Sequence, residues 1–225
     1  KWGWDLQHMI THFGWKAILS IIISTAVVSY FFRKDILAVK EVQNEAYNSI
    51  PGWVTLGHLL FLFLIILFHH HPILFIPAFI FFLGAASATR AHHDQINLKS
   101  PLLVAFFLGG LIVLGGMQSW WLQPLLEKMS SFGLYFGAIS LTAITDNAAI
   151  TYLGSQVEGL SDFSKYFLVA GSVVGGGLTV IANAPNPAGY SILNSTFGRD
   201  GISALGLFKS SLFPTLVAFI IFWMF

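Results

Sequence analysis

The chain contains no cysteine. That excludes a disulfide framework, a thiolate metal centre and a catalytic thiol. Charge is nearly as scarce: 11 Lys and Arg with 10 Asp and Glu make up only 9% of 225 residues. Water-soluble domains carry roughly 25% charged residues, so this chain falls outside that class. The net charge is +1, and no Lys/Arg cluster is present to track phosphates, so nucleic acid is excluded as a partner. No HExxH pattern occurs, and the one glycine-rich run has neither a preceding strand nor a following Lys-Ser/Thr, so it is not a phosphate-binding loop.

What is abundant is apolar. Hydrophobic residues reach 56%, with 22 Phe and 7 Trp. The expected fold class is an all-α, multi-pass integral membrane protein whose main surroundings are a lipid bilayer. A spanning helix needs about 20 apolar residues, with about 17–25 tolerated. Candidate spans are 15–32, 53–68, 72–87, 101–117 and 205–225, and 166–181 is a further membrane segment. Between the first two lies a polar connector whose Ile36, Leu37, Val39 and Val42 suit a short surface helix. Only His69, His70 and His71 separate the second and third spans, which predicts an antiparallel pair with a tight turn. Gly109-Gly110 and Gly115-Gly116 predict close helix packing in the fourth. The organisation expected is a juxtamembrane segment over 1–14, scaffold helices over 15–119 and a transport-site region over 120–225. The chain begins at Lys1, and an upstream half is expected before it.

One carboxylate, Asp146, interrupts an otherwise uncharged apolar run over 130–157. An acid in hydrocarbon costs several kcal/mol unless it faces a cavity, pairs, or takes up a proton or cation. The bland alternative is an N-cap, since a good helix pattern follows it (Ala148, Ala149, Ile150). Thr145, Asn147, Asn183 and Asn186 offer neutral oxygens that suit a hard cation, although each also suits an interhelical hydrogen bond. Gly176 and Gly177 let backbone approach an ion or merely a neighbouring helix. Pro185 and Pro187 break a helix, and freed carbonyls at membrane depth are tolerated only against protein or a watery cavity. An acid beside broken backbone is how cation-coupled carriers build a midplane ion site.

The passages LLVAFFLGGLIVLGGMQSWWLQPLL, LTAITDNAAITYLGSQV and KYFLVAGSVVGGGLTVIANAPNPAGYSIL resemble the C-terminal half of the putative sodium/proton antiporter family. That family is part of the ion-transporter superfamily, with arsenite, citrate and dicarboxylate carriers. The resemblance runs from about residue 100 to the end. It implies two inverted halves, each giving a re-entrant helical hairpin and a discontinuous helix to a central site, and assembly as a homodimer. Thr145, Asp146 and Asn147 would sit at the hairpin tip, facing a broken helix lined from Gly175 to Asn186.

The expected function is therefore secondary active exchange of Na+ (or Li+) for protons, with Asp146 as the shared site and no enzyme activity or cofactor. The expected location is a bacterial inner membrane or an organelle membrane. The alternatives are a carrier for an organic anion or oxyanion, and a membrane-embedded metal protein or enzyme built on the histidine clusters (His8 and His12, His69–His71, His92 and His93). The former is disfavoured by an acid in the site, the latter by the spacing of the histidines. His58 stands apart as the histidine within a predicted span.

Overall fold

The long apolar runs become helices in the computed structural model of the chain, which describes residues 2–38, 50–93, 96–198 and 201–225. Among the described residues every regular element is helical and no strand occurs. Two helices, Leu6–Phe31 and Ala204–Met224, are long and apolar enough to cross a membrane, and a third candidate is a bent pair. The chain divides into two compact units, one formed by residues 1–39 and 99–225, the other by residues 40–98.

The smaller unit is a helical hairpin. α4 (Gly52–Leu67) and α5 (Pro72–Ala88) are joined by the short turn through the histidine triplet, with Pro72 as first helical residue, where its missing N–H costs nothing. Phe61 lies 5.6 Å, ring to ring, from both Phe81 and Phe82, and Trp53 lies 6.4 Å from His92, so the pair is antiparallel as expected. His58 is tied to its own helix, Nδ1 lying 2.8 Å from the Val54 carbonyl, with its ring edge-on to Phe82 and His93.

The larger unit opens with α1 (Leu6–Met9), a π-helical turn (Ile10–Gly14) and α2 (Trp15–Phe31), which run as one 26-residue helix. At 1.5 Å per residue it is about 39 Å long. It starts nine residues before the predicted span because Asp5 caps it, accepting from His8 N–H at 2.7 Å. His8 and His12 then stack on one another at 4.0 Å. α3 (Arg33–Ala38) begins the polar connector with Ile36 and Leu37 exposed; Val39 and Val42, and the rest of the predicted surface helix, lie outside the described residues.

α6 (Lys99–Gly115) and α7 (Ser119–Leu126) meet at 82°. The second glycine pair of the sequence lies at this bend. Gly115 and Gly116 admit the side chains of Tyr152 and Leu153, and Tyr152 OH donates to the Ile112 carbonyl at 2.9 Å. α8 (Ser131–Ile144) is capped by Ser130, and α10 (Asp162–Gly175) by Ser161. α9 (Asn147–Gly154), α11 (Asn186–Leu193) and α12 (Ala204–Met224) complete the unit.

α10 is the central helix and packs most extensively on α8. The contact rests on Gly171 and Gly175, four residues apart. A Cβ at Gly171 would overlap the Tyr135 carbonyl oxygen, and one at Gly175 would fall 2.6 Å from that of Ile139. Such small-residue stripes let backbones approach where lipid supplies no hydrophobic drive between helices. Phe13, Leu134, Tyr135, Phe167 and Phe222 fill the core around this seam. Lys16 is buried beside it, and its Nζ donates to Tyr166 OH at 2.7 Å, which donates in turn to the Phe222 carbonyl at 2.8 Å.

Candidate functional site

Two helices stop in mid-course in the larger unit. α8 ends at Ile144, and after Thr145 and Asp146 the chain resumes as α9. The polar pair Asp146-Asn147 causes the stop: Asp146 is extended (φ −161°, ψ 145°), and its Oδ1 accepts from Ala148 N–H at 2.7 Å and Ala149 N–H at 3.2 Å. Capping is thus its local role. The carboxylate is 5% exposed, and no hydrogen bond reaches its Oδ2 among the described residues. The N-terminal dipole of α9 favours a negative charge at this point.

α10 likewise stops at Gly175, and residues 176–185 are irregular before α11 begins. The sequence predicted a membrane segment over 166–181 that ends at the prolines; the helix in fact ends at the glycines. Gly175, Gly176 and Gly177 carry the highest backbone entropy cost in a helix, and the carbonyls they free find partners elsewhere. Asn186 supplies two of them. Its Nδ2 donates to the carbonyls of Gly176 (2.8 Å) and Thr179 (2.9 Å), so its amide braces the irregular segment from within.

The two interruptions meet. Asn147 N–H donates to the Ala182 carbonyl at 3.1 Å, and Thr179 Oγ1 donates to the Ala143 carbonyl at 2.7 Å. Ala182 is fully buried at this junction. Thr145, by contrast, turns its hydroxyl back to the Leu141 carbonyl at 2.6 Å.

Beside the junction lies a cavity of about 660 Å³. Thr145, Asp146, Asn183, Pro185 and Pro187 line it, together with Ile181, Ala184 and Ala188. Pro101, Leu103, Val104 and Phe107 of α6 form an apolar wall. The structure therefore brings Thr145, Asp146, Asn183, Pro185 and Pro187 to one cavity. Asn147 instead flanks Gly176, where a Cβ would lie 3.5 Å from Asn147 Nδ2, and Gly177 faces open space. Gly175 serves the α8 seam.

Sequence reasoning missed Thr179, although a hydroxyl in an apolar run was a usable signal. It also missed the α6 wall, whose plain apolar residues carry no signal. Elsewhere, among the described residues no group of three or more His, Asp and Glu is placed to hold a metal ion.

The arrangement offers a buried carboxylate with one oxygen unengaged, beside irregular backbone and an amide, at the edge of a largely apolar chamber. Those are the elements of a site for a small cation or proton. Neither a curated protein nor a solved structure matches the chain. A family model does, over residues 1–225, which extends the resemblance seen from residue 100 to the whole chain. The chain belongs to the family described as Putative Na+/H+ antiporter.

Proposed function

We propose that this membrane protein exchanges Na+ (or Li+) for protons, with Asp146 as the group that takes either one. The observation that carries the reading is the junction of Asn147 with Ala182, which sets a buried acid where two helices are interrupted. In a water-poor setting a carboxylate is neutralised by one proton or by one cation, so the two species compete for it. Competition for a single acid gives exchange without further machinery.

Asn183 and Thr145 are the neutral oxygens on the same cavity, and Asn147 and Gly176 the pair on the other side of the junction. Asn186, with Pro185 and Pro187, holds the irregular segment in place. Residues 120–225 would be the transport-site region, moving against the scaffold of residues 15–119 in the manner of a re-entrant hairpin and discontinuous helix. The homodimer and the bacterial inner or organelle membrane complete the proposal. An anion carrier fits less well, because Asp146 already fills the positive end of α9.

The test is proton movement in everted vesicles, followed with a pH-sensitive dye on adding Na+, Li+, K+ or citrate. Asp146→Asn keeps an oxygen for the cap but loses the charge. Loss of the Na+ response with normal expression is the expected result; exchange at the wild-type rate would refute the assignment.

A further inference from the structure

Thr142 is fully buried in α8, one turn before Asp146, and its Oγ1 has no hydrogen-bond partner. Buried hydroxyls are nearly always paired, so this orphan needs a reason. Helical hydroxyls elsewhere in the chain solve the problem locally by donating to the carbonyl four residues back. Ser20 does so to Lys16 at 2.7 Å, Ser172 to Leu168 at 3.0 Å and Thr145 to Leu141 at 2.6 Å. Thr142 does not take this route. Among the described residues only His92 shares its condition of a buried side-chain atom left unsatisfied.

Its position is as unusual as its state. Thr142 packs against Gly175, where a Cβ would fall 2.9 Å from Thr142 Cβ, and Gly175 is the last residue of α10 before the irregular segment. The Thr142 carbonyl accepts from Thr145 N–H at 3.3 Å, which closes the last turn before Asp146. Thr142 is thus packed on the last residue of α10 and lies one turn before the break in α8. A hydroxyl is a hard, neutral oxygen, the ligand type that an alkali cation stripped of water prefers. We infer that the Thr142 hydroxyl is a ligand for the dehydrated Na+ or Li+ that Asp146 neutralises. The inference rests on the reading of Asp146 as the cation-binding acid and adds to it a residue that the sequence did not single out.

Replacing the orphan by a group of the same shape separates the two possibilities. The full-length protein, purified in detergent, is titrated with NaCl while its melting temperature is followed, and exchange is measured in everted vesicles. Thr142→Val removes the oxygen without changing the shape, and removing a merely orphaned donor is neutral or stabilising. The expected result is a variant at least as stable as wild type without Na+, whose half-saturating Na+ rises about tenfold or more, as loss of one ligand worth a tenfold change requires. Thr142→Ser, which keeps the oxygen, stays within about twofold of wild type on the same scale. Should Thr142→Val fold poorly, Thr142→Cys carries the test, since sulfur is a poor ligand for hard cations. Wild-type half-saturation in the Val or Cys variant, with the response still lost in Asp146→Asn, would overturn the role of Thr142 and leave the exchange reading intact. A wild-type response in Asp146→Asn as well would remove both.

Discussion

Gly175 sits against the backbone of Ile139 so tightly that a Cβ at that position would lie 2.6 Å from the Ile139 carbonyl oxygen and 3.0 Å from its Cα. Backbone cannot rotate out of the way as a side-chain end can. Gly175→Ala should therefore push α8 and α10 apart and lower stability by about 1–3 kcal/mol, the usual range for overpacking. Gly177→Ala is the control, because a Cβ there meets nothing within 4 Å. Melting of the two variants in one detergent checks the contrast: a large drop for the first and little change for the second.

Asn186 braces two backbone carbonyls through one amide nitrogen. Asn186→Leu leaves the Gly176 and Thr179 oxygens without that donor, at about 1–3 kcal/mol for a buried group left unpaired. Asn186→Asp goes further, since a carboxylate would face two carbonyl oxygens. The expected order of melting temperature is wild type, then Leu, then Asp, with Na+ exchange falling in step. Full activity in the Asp variant would contradict the bracing role.

The chain of donors from Lys16 through Tyr166 to the Phe222 carbonyl ties the long N-terminal helix to α10 and α12. Lys16 is only 5% exposed, so removing its partner strands a cation. Tyr166→Phe should therefore destabilise more than Lys16→Met, and the double variant should be better than Tyr166→Phe alone. A double-mutant cycle in thermal unfolding measures that coupling.

Asp146 performs two tasks that substitutions can separate. Asp146→Ala loses the acceptor for Ala148 and Ala149 N–H, at about 0.5–2 kcal/mol for a lost N-cap. Asp146→Asn retains that acceptor. Both variants should lack Na+-driven proton movement, but only Ala should melt distinctly lower than wild type. Equal melting of the two would show that the cap contributes nothing.

Much of this was legible in the sequence. The hairpin of α4 and α5 follows from two apolar runs with a polar turn between them. The interruption at Asp146 follows from an acid followed by an amide, a poor fit to continuous lipid-facing helix. The end of α10 was placed too late because proline is the louder signal: Pro185 and Pro187 cannot continue a helix and are tolerated only at its start, where α11 places them, whereas Gly175, Gly176 and Gly177 only weaken a helix. The glycines prevailed because Asn186 and Asn147 satisfy the groups released there, and those partners are remote or face the other way in one dimension. The start of the first helix was missed for the opposite reason. Residues 1–14 read as a juxtamembrane segment ahead of the span, yet the aromatic rings stack along one face, Trp4 on His8 and His8 on His12, and Asp5 caps the end. The α6 wall of the cavity had no such clue, because an apolar residue facing a chamber looks the same as one facing lipid.

The link from Asn147 to Ala182 is made by peptide groups alone. Evolution can therefore exchange every side chain around the crossing without cutting it, provided the fold keeps both loops in register. Selectivity can then drift, one hydroxyl or amide at a time, while the framework that presents them is inherited as geometry instead of as letters.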